Sequence, residues 1–211
     1  MLAPIMLLAA TAFARPIMGV EWVPYSRGDA MWVSEDRTSG TGVSEMDGWL
    51  QPALTFHGGV QQDRWALLGS FAVARLTTTT WLADGRDQTH VGALRLGLGY
   101  RRYLGLPELD RVQAFGDAGL YGVIPSARVL SDSYTEAEQN DADEGAAYTR
   151  KSIGGLGLWL GPGFGWWVRD ELMLGARYHV VLHRGQILTE DTLRMSTALS
   201  GEAAFVVEVR L

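Results

Sequence analysis

Apolar residues alternate with polar or small ones along much of the chain, which is the period of two that β-strands produce. The alternation is clearest at His90–Arg102, 172–182 and 203–211. Each of these segments has one steadily apolar face. The opposite faces carry charged or imidazole side chains, namely Arg95, Arg101, Arg177, His179 and Glu208. The pattern therefore predicts strands that separate an apolar environment from a polar one.

The uncharged stretch Ser152–Val168 is long enough to suggest a membrane helix, but its composition argues against one. It contains six glycines and Pro162, and both residue types destabilise a helix interior. Its large side chains alternate with glycines, so we predict a strand with one apolar face and one glycine face. In a barrel wall, the glycine face leaves room inside for long side chains of neighbouring strands.

Eight such segments are predicted, approximately at 19–33, 48–58, 64–77, 90–102, 111–129, 152–168, 172–182 and 196–211. The alternation within 64–77 is too weak to assign its faces. The first, third, fifth and seventh connections are the longer ones, at 34–47, 78–89, 130–148 and 183–194. Outer-membrane barrels combine short periplasmic turns with longer outer loops. We therefore predict an all-β fold, an eight-stranded antiparallel up-and-down transmembrane β-barrel with periplasmic termini.

The predicted strands have the length of about 9–11 residues that a membrane strand requires. Aromatic residues fall near the strand ends, where the interfacial girdles of a membrane barrel lie. They are Trp22, Tyr25, Trp49, Trp65, Trp81, Tyr100, Tyr103, Trp166 and Trp167. We expect these rings to face the membrane interface.

The N-terminal segment has features of an export signal. Residues 1–14 contain no charged side chain, include the apolar stretch 7–10, and end in Ala12-Phe13-Ala14, a small-x-small cleavage pattern. We expect residues 1–14 to be a signal peptide and residues 15–211 to be the outer-membrane barrel domain. The chain is then exported across an inner membrane before it folds.

Three segments resemble the small outer-membrane β-barrel proteins of the OmpA-transmembrane, OmpX and OmpW kind. They are the alternating stretch 94–100, the glycine-rich stretch 154–165 and the closing stretch 201–211. The resemblance implies an outer-membrane location, contact with outer-membrane lipid and lipopolysaccharide, and recognition by the barrel-assembly machinery during biogenesis. Members of this family usually end in an aromatic residue, whereas this chain ends in Leu211.

Composition removes several classes of function. The chain has 211 residues, no cysteine and a formal net charge of −6. Without cysteine there is no disulfide, catalytic thiolate or cysteine metal site, and a negative net charge disfavours nucleic-acid binding. The histidines lack an obvious serine partner, because Ser196 and Ser200 approach His179 only if the strand register allows it. We therefore predict no enzyme activity, no cofactor and no metal site.

If the apolar faces meet lipid, the opposite faces point into the barrel, where eight strands leave space only for side chains. Charges there must be paired, because an unpaired buried charge is very costly. We predict an interior polar network of Arg95, Arg101, Asp117, Arg177, His179, Glu202 and Glu208. Other side chains expected inside or near the rim are Gln51, Thr55, His57 and Arg210. We interpret the network as a plug, with a narrow water or ion path as the alternative.

The connection 130–148 is strongly acidic. It contains Asp132, Glu136, Glu138, Asp141, Asp143 and Glu144. We predict a solvated, mobile surface loop. The alternative is a divalent-cation site that bridges to lipopolysaccharide phosphates or a surface partner, although the spacing of an EF-hand is absent.

Three functions are compatible with these features. The first is a structural or surface-interaction barrel with a filled interior, whose long loops contact a surface partner. The second is a narrow passive channel for small or apolar solutes. The third is a soluble lipocalin-like binder of an apolar ligand, which requires an apolar interior. The charges expected inside favour the first.

Overall fold

The computed structural model describes residues 14–27, 54–82, 85–105, 111–131, 134–189 and 192–211. The chain forms a closed barrel in which each strand pairs antiparallel with the next and the last pairs with the first. The elements are β1 (Arg15–Arg27), β2 (Leu54–Gln62), β3 (Trp65–Leu82), β4 (Gly85–Gly105), β5 (Val112–Ser131), α1 (Glu136–Ile153), β6 (Gly155–Trp167), β7 (Leu172–Thr189) and β8 (Thr192–Arg210). The predicted eight-stranded up-and-down fold is confirmed.

Parts of the sequence prediction lie outside the described residues. They include the proposed signal peptide up to residue 13, the connection 34–47, and Gln51. Within the described ranges, no helix combines the length and apolar character that a membrane span requires.

The apolar faces of the strands point outward. Leu98 on β4 is 66% exposed, and its outward neighbours Leu96 and Tyr100 are exposed as well. The inward face of β6 is formed largely by glycines, and side chains from β5 and β7 fill the space above them. A Cβ atom at Gly157 would collide with the ring of Tyr121. The predicted role of the glycine face, to leave room for neighbouring side chains, is confirmed.

The faces of β3, which the sequence left open, are resolved by the structure. Leu67, Phe71 and Val73 point outward and are exposed, whereas Ala66 and Ala72 are buried inside. Both faces of β3 contain apolar residues, and small ones occupy the inner face. Polar and apolar residues therefore do not alternate clearly along this strand, and polarity alone does not identify its inward face.

Two predicted loops are wrong. Residues 78–89 and 183–194 belong mostly to long hairpins, and only residues 83–84 separate β3 from β4 and residues 190–191 separate β7 from β8. The threonines at 77–80 pair with β4 from His90 to Asp87, and β-branched residues favour strands. The sequence of these hairpin ends does not alternate regularly between apolar and polar residues, so they lack the pattern by which strands are recognised. At the other end of the barrel, Asp63 turns the chain between β2 and β3 with a φ of 44°, a conformation that aspartate tolerates.

The prediction of an acidic loop is also wrong for the part that the structure describes, because residues 136–153 form a helix. Thr135 and Glu138 make a capping box at its start, and acidic residues in the first turn and basic ones in the last complement the helix dipole. Glu136, Glu138, Asp141, Asp143 and Glu144 therefore lie on α1, and all five are exposed. Asp132 lies outside the described residues.

Helix α1 covers an edge of the barrel wall. Pairing between β5 and β6 stops at Val123 and Gly155, so the end of β5 continues without β6 beside it. Gln139 and Arg150 donate hydrogen bonds to the backbone carbonyls of Val129 and Ala127 at 3.1 and 2.8 Å. The helix thereby satisfies part of a strand edge that would otherwise be open to pairing with another chain.

The expected aromatic girdle is only partly formed. Trp22, Tyr100 and Trp166 point outward and are exposed. Tyr103 and Trp167, in contrast, are buried inside the barrel, because each follows the inward parity of its strand. Trp65 is half-buried, and the side chains of Tyr25, Trp49 and Trp81 lie outside the described set.

Candidate functional site

The structure places all seven side chains of the predicted network inside the barrel. Arg101 and Glu208 are completely buried, at 0% exposure. The other members are buried or half-buried, namely Arg95, Asp117, Arg177, His179 and Glu202. They come from β4, β5, β7 and β8, so the strand register brings into contact residues that are 107 positions apart in sequence.

Arg101 is the centre of the network. Its Nε and Nη2 atoms donate to the two carboxylate oxygens of Asp117 at 2.8 and 3.1 Å. Its Nη1 atom donates to Oε2 of Glu208 at 2.6 Å, and its guanidinium carbon lies 4.3 Å from the centre of the Phe115 ring. A planar guanidinium with several fixed donors is suited to join two carboxylates in this way.

Arg177 forms a second centre on the opposite wall. It donates to a carboxylate oxygen of Glu21 and lies 3.6 Å from Oδ2 of Asp117. Its Nη1 atom is 3.0 Å from Nε2 of His179. Asp117 therefore interacts with both arginine centres, and it links them into one network.

The third ion pair lies nearer the end of the barrel that carries the long hairpins. Arg95 donates to Glu202 at 3.1 Å, and its guanidinium lies over the ring of Tyr121 at 4.1 Å. Tyr121 also stacks on Trp159 and His183. Aromatic rings thus fill the space around this pair.

Sequence reasoning missed three members of the network. Glu21 binds Arg177, Tyr103 donates to Oε1 of Glu208 at 3.0 Å, and His57 lies 3.2 Å from Oε2 of the same carboxylate. His57 is an expected inward residue that had no assigned partner. Glu21 lies on the same face of β1 as Ile17 and Gly19. The sequence indicates that this face points inward only if the first strand begins at Arg15 instead of Gly19.

The network contains more acidic than basic groups. Four carboxylates (Glu21, Asp117, Glu202 and Glu208) meet three guanidiniums (Arg95, Arg101 and Arg177), so the formal charge is −1 with neutral imidazoles. His57 lies between two of the carboxylates, with Nδ1 3.3 Å from Oε1 of Glu21. The imidazole therefore contacts two carboxylates of the network.

Apolar residues border the network on both sides along the barrel axis. On the side of the termini, buried residues from every strand except β2 pack together, and they are Ile17, Ala66, Tyr103, Phe115, Trp167, Met173 and Val206. Beneath them, Arg210 lies over the Trp167 ring at 3.3 Å. On the other side, Ala74 and Val91 form a smaller layer with Ala93 and Val123.

One small cavity remains within the network. It has a volume of about 30 Å³ and is lined by Glu21, His57 and Arg177, among others. Nδ1 of His57 and Nε of Arg177 are buried without a hydrogen-bond partner in the described structure. A polar space of this size, bordered by two nitrogen atoms without a hydrogen-bond partner, fits one or two water molecules.

The strand register does not place Ser196 or Ser200 opposite His179. His179 lies directly opposite Glu202 across the β7–β8 pair, and Ser200 lies opposite Val181. The polar contacts of the His179 ring are Arg177 and Asp117. Among the described residues, no group of His, Cys, Asp or Glu has the arrangement of a metal site.

The acidic residues of α1 form a separate, exposed surface. The backbone N and Oγ1 of Thr135 both donate to Oε2 of Glu138 at 2.8 Å, and these bonds lower the pKa of Glu138. Gln139 donates to Asp143 at 3.2 Å. The carboxylates thus stabilise the helix locally.

Comparisons with known proteins find structural likeness without sequence relatives. No protein-family model matches the chain, and no curated protein does either. Neisserial surface protein A has 11% identity over 94% of this chain and 95% of its own, with a TM-score of 0.49. E. coli outer membrane protein W has 12% identity over 94% and 98%, with a TM-score of 0.48. OprG from Pseudomonas aeruginosa has 10% identity over 94% and 97%, with a TM-score of 0.43. Function depends on the residues of each barrel, so it does not follow from this likeness.

Proposed function

We propose that this protein is an outer-membrane β-barrel with a structural or surface-interaction role and an interior closed by side chains. The observation that carries the proposal is the inversion of polarity between the two faces of the wall. Apolar side chains cover the outside, and a paired ionic network occupies the inside. A water-soluble barrel has the opposite arrangement, because it buries its apolar residues.

The outer surface fits a bilayer in height. On β6 the outward apolar residues run from Leu156 to Trp166. At about 3.3 Å per residue and a strand tilt of about 40°, this run spans roughly 25 Å, the height of the apolar band of outer-membrane barrels. On β7 the same outward face runs from Leu172 to Leu182 and then meets Arg184. Soluble proteins rarely expose a continuous apolar surface of this extent.

The interior argues against the two alternatives. An apolar ligand would have to enter a space that holds seven charged side chains, and the cavity between Glu21, His57 and Arg177 has a volume of about 30 Å³. A passive channel would need a path through the layer around Phe115 and Met173, both of which are buried. The network therefore supports the plug interpretation.

The remaining features of the proposal concern orientation and partners. The start of β1 and the end of β8 lie at the same end of the barrel as the short connections at 63–64 and 168–171. We place this end in the periplasm. Helix α1 lies at the other end, where it would meet a surface partner. Cleavage after residue 14, insertion by the barrel-assembly machinery, and the absence of enzyme activity complete the proposal.

Two measurements test it. Cell fractionation should place the protein in the outer membrane, and the unboiled protein should migrate faster in a gel than the boiled protein. In planar bilayers, the heat-modifiable species should give no steady current under conditions in which a general porin conducts. A soluble periplasmic protein without a heat shift would contradict the membrane location. A steady current would contradict the closed interior and favour the passive channel.

A further inference from the structure

The outer face of β3, β4 and β5 changes from apolar to basic on the side away from the termini. Val73, Leu94 and Ile124 are paired neighbours and form the last apolar row. The next two rows are polar, and from β3 to β5 they contain Arg75, Gly92 and Ser126, and then Thr77, His90 and Arg128. Rows are about 7 Å apart, since two residues separate them along a strand. The change therefore falls where a lipid's acyl chains meet its headgroup.

A recess lies on this boundary. Its volume is about 400 Å³, and it is lined only by β3, β4 and β5. Since three adjacent strands line it and no residue of the opposite wall does, the recess opens outward. Gly92 lies in the middle of the first polar row, and even a Cβ atom there would approach Oγ of Ser126 to 2.7 Å. The missing side chain contributes the space.

Cationic groups surround the recess. Arg75 and Arg128 are exposed, and none of the ion pairs between described residues involves either of them. Arg150 of α1 donates to the carbonyl of Ala127, beside Arg128. Nδ1 of His90 lies 3.1 Å from Oγ1 of Thr77. The two polar rows therefore present two guanidiniums, an imidazole and hydroxyl groups.

We propose that this recess binds a phosphorylated, multiply acylated glycolipid of the outer leaflet. An acyl chain lies along Val73, Leu94 and Ile124, and the phosphates meet Arg75 and Arg128. Guanidinium groups bind phosphate with two parallel hydrogen bonds, and several close cations favour a ligand with more than one phosphate. The inference rests on the proposed membrane location, because only insertion brings the recess to the level of lipid headgroups.

Binding of bisphosphorylated lipid A to the folded barrel in a non-ionic detergent tests the proposal. The test variant is Arg75→Gln/Arg128→Gln. The matched control is Arg102→Gln, which removes an exposed, outward arginine at the opposite end of β4. We expect the double variant to bind about tenfold more weakly, which corresponds to the loss of two charge-assisted contacts at an exposed site. The control should bind within about twofold of the unmodified protein.

Three further ligands identify the recognised group: lipid A without its phosphates, phosphatidylglycerol and inorganic phosphate. We expect each to compete at least about tenfold less well than bisphosphorylated lipid A. Equal binding of the dephosphorylated lipid, or unchanged binding by the double variant, would overturn the proposal. Equal competition by phosphatidylglycerol or inorganic phosphate would overturn the proposal that the recess binds a glycolipid.

The heat shift in gels separates a failure of this inference from a failure of the proposed function. A protein that keeps its heat shift but does not bind lipid A contradicts the recess proposal alone. If the double variant loses its heat shift, Arg75→Gln and Arg128→Gln are tested singly, each with an expected loss of about threefold. Unchanged binding by both single variants would overturn the proposal.

Discussion

Replacing Arg101 with methionine should destabilise the barrel strongly. Arg101 is fully buried, and it donates three hydrogen bonds to Asp117 and Glu208. Methionine fills a similar volume but leaves both carboxylates without this partner. Removing one member of a buried ionic group costs about 3–5 kcal/mol, mainly because the remaining charge is uncompensated. The ratio of folded to unfolded protein should therefore fall by at least about a hundredfold.

The assay is equilibrium unfolding in urea with the protein in lipid vesicles, followed by tryptophan fluorescence and by the heat shift in gels. The neighbouring Arg102→Met is the matched control, because Arg102 is exposed on the outer face. It should change the free energy of unfolding by less than about 0.5 kcal/mol. The triple variant Arg101→Met/Asp117→Asn/Glu208→Gln should recover more than half of the loss, since it removes the orphaned charges as well.

Two results would refute this reasoning. One is a cost below about 1 kcal/mol for Arg101→Met, which is the range of exposed ion pairs. The other is equal destabilisation by Arg101→Met and Arg102→Met, which would mean that the inward and outward faces are not distinguished. Either result would mean that the ionic network does not determine the stability of the barrel.

Two further predictions concern close packing and the acidic helix. Gly119→Val should lower the free energy of unfolding by roughly 2–3 kcal/mol, because its Cβ would collide with the Trp159 ring. Gly116→Val on the same strand is the control. A Cβ atom there meets nothing within 4 Å, so this variant should be tolerated in the same unfolding assay. Equal effects would show that the interior is not tightly packed there. Thr135→Ala removes the helix cap, and amide exchange in the first turn of α1 should become about fivefold faster while strand amides are unchanged. The pKa of Glu138 is lowered in the folded protein, so its contribution is present above its unfolded pKa and is lost as the pH falls through the folded value. First-turn protection should therefore fall with acidification in the unmodified protein, and no such fall would contradict the capping box.

The fold was predictable because most of its strands follow the one rule expected of strands that cross lipid. The outward face must be apolar, and this alone makes Leu94, Leu96 and Leu98 alternate with Arg95. The same parity identifies Arg101 and Glu208 as inward residues. Their pairing, in contrast, depends on register between distant strands, and the sequence does not contain this information in local form.

The sequence predictions were wrong for segments in which apolar and polar residues do not alternate. The hairpin ends near Thr78 lie beyond the apolar band, so neither face is selected for apolarity. Helix α1 lies outside the wall and is recognisable only by its cap and its charge order. Trp167 was assigned outward from its residue type, whereas the parity of β6 directs it inward. Sequence signals outside the membrane band are therefore those of soluble structure, and they require separate criteria.

The most direct test of the central claim compares two adjacent valines on β7. Val180 is 45% exposed on the outer face, and Val181 is 2% exposed on the inner face. Methyl NMR of the barrel in lipid nanodiscs can detect contacts between each valine and the acyl chains without any substitution. The account predicts strong cross-peaks from lipid methylenes to the Val180 methyls and none to those of Val181. Equal contacts for both valines, or contacts for Val181 alone, would contradict a lipid-facing apolar surface around a closed polar interior.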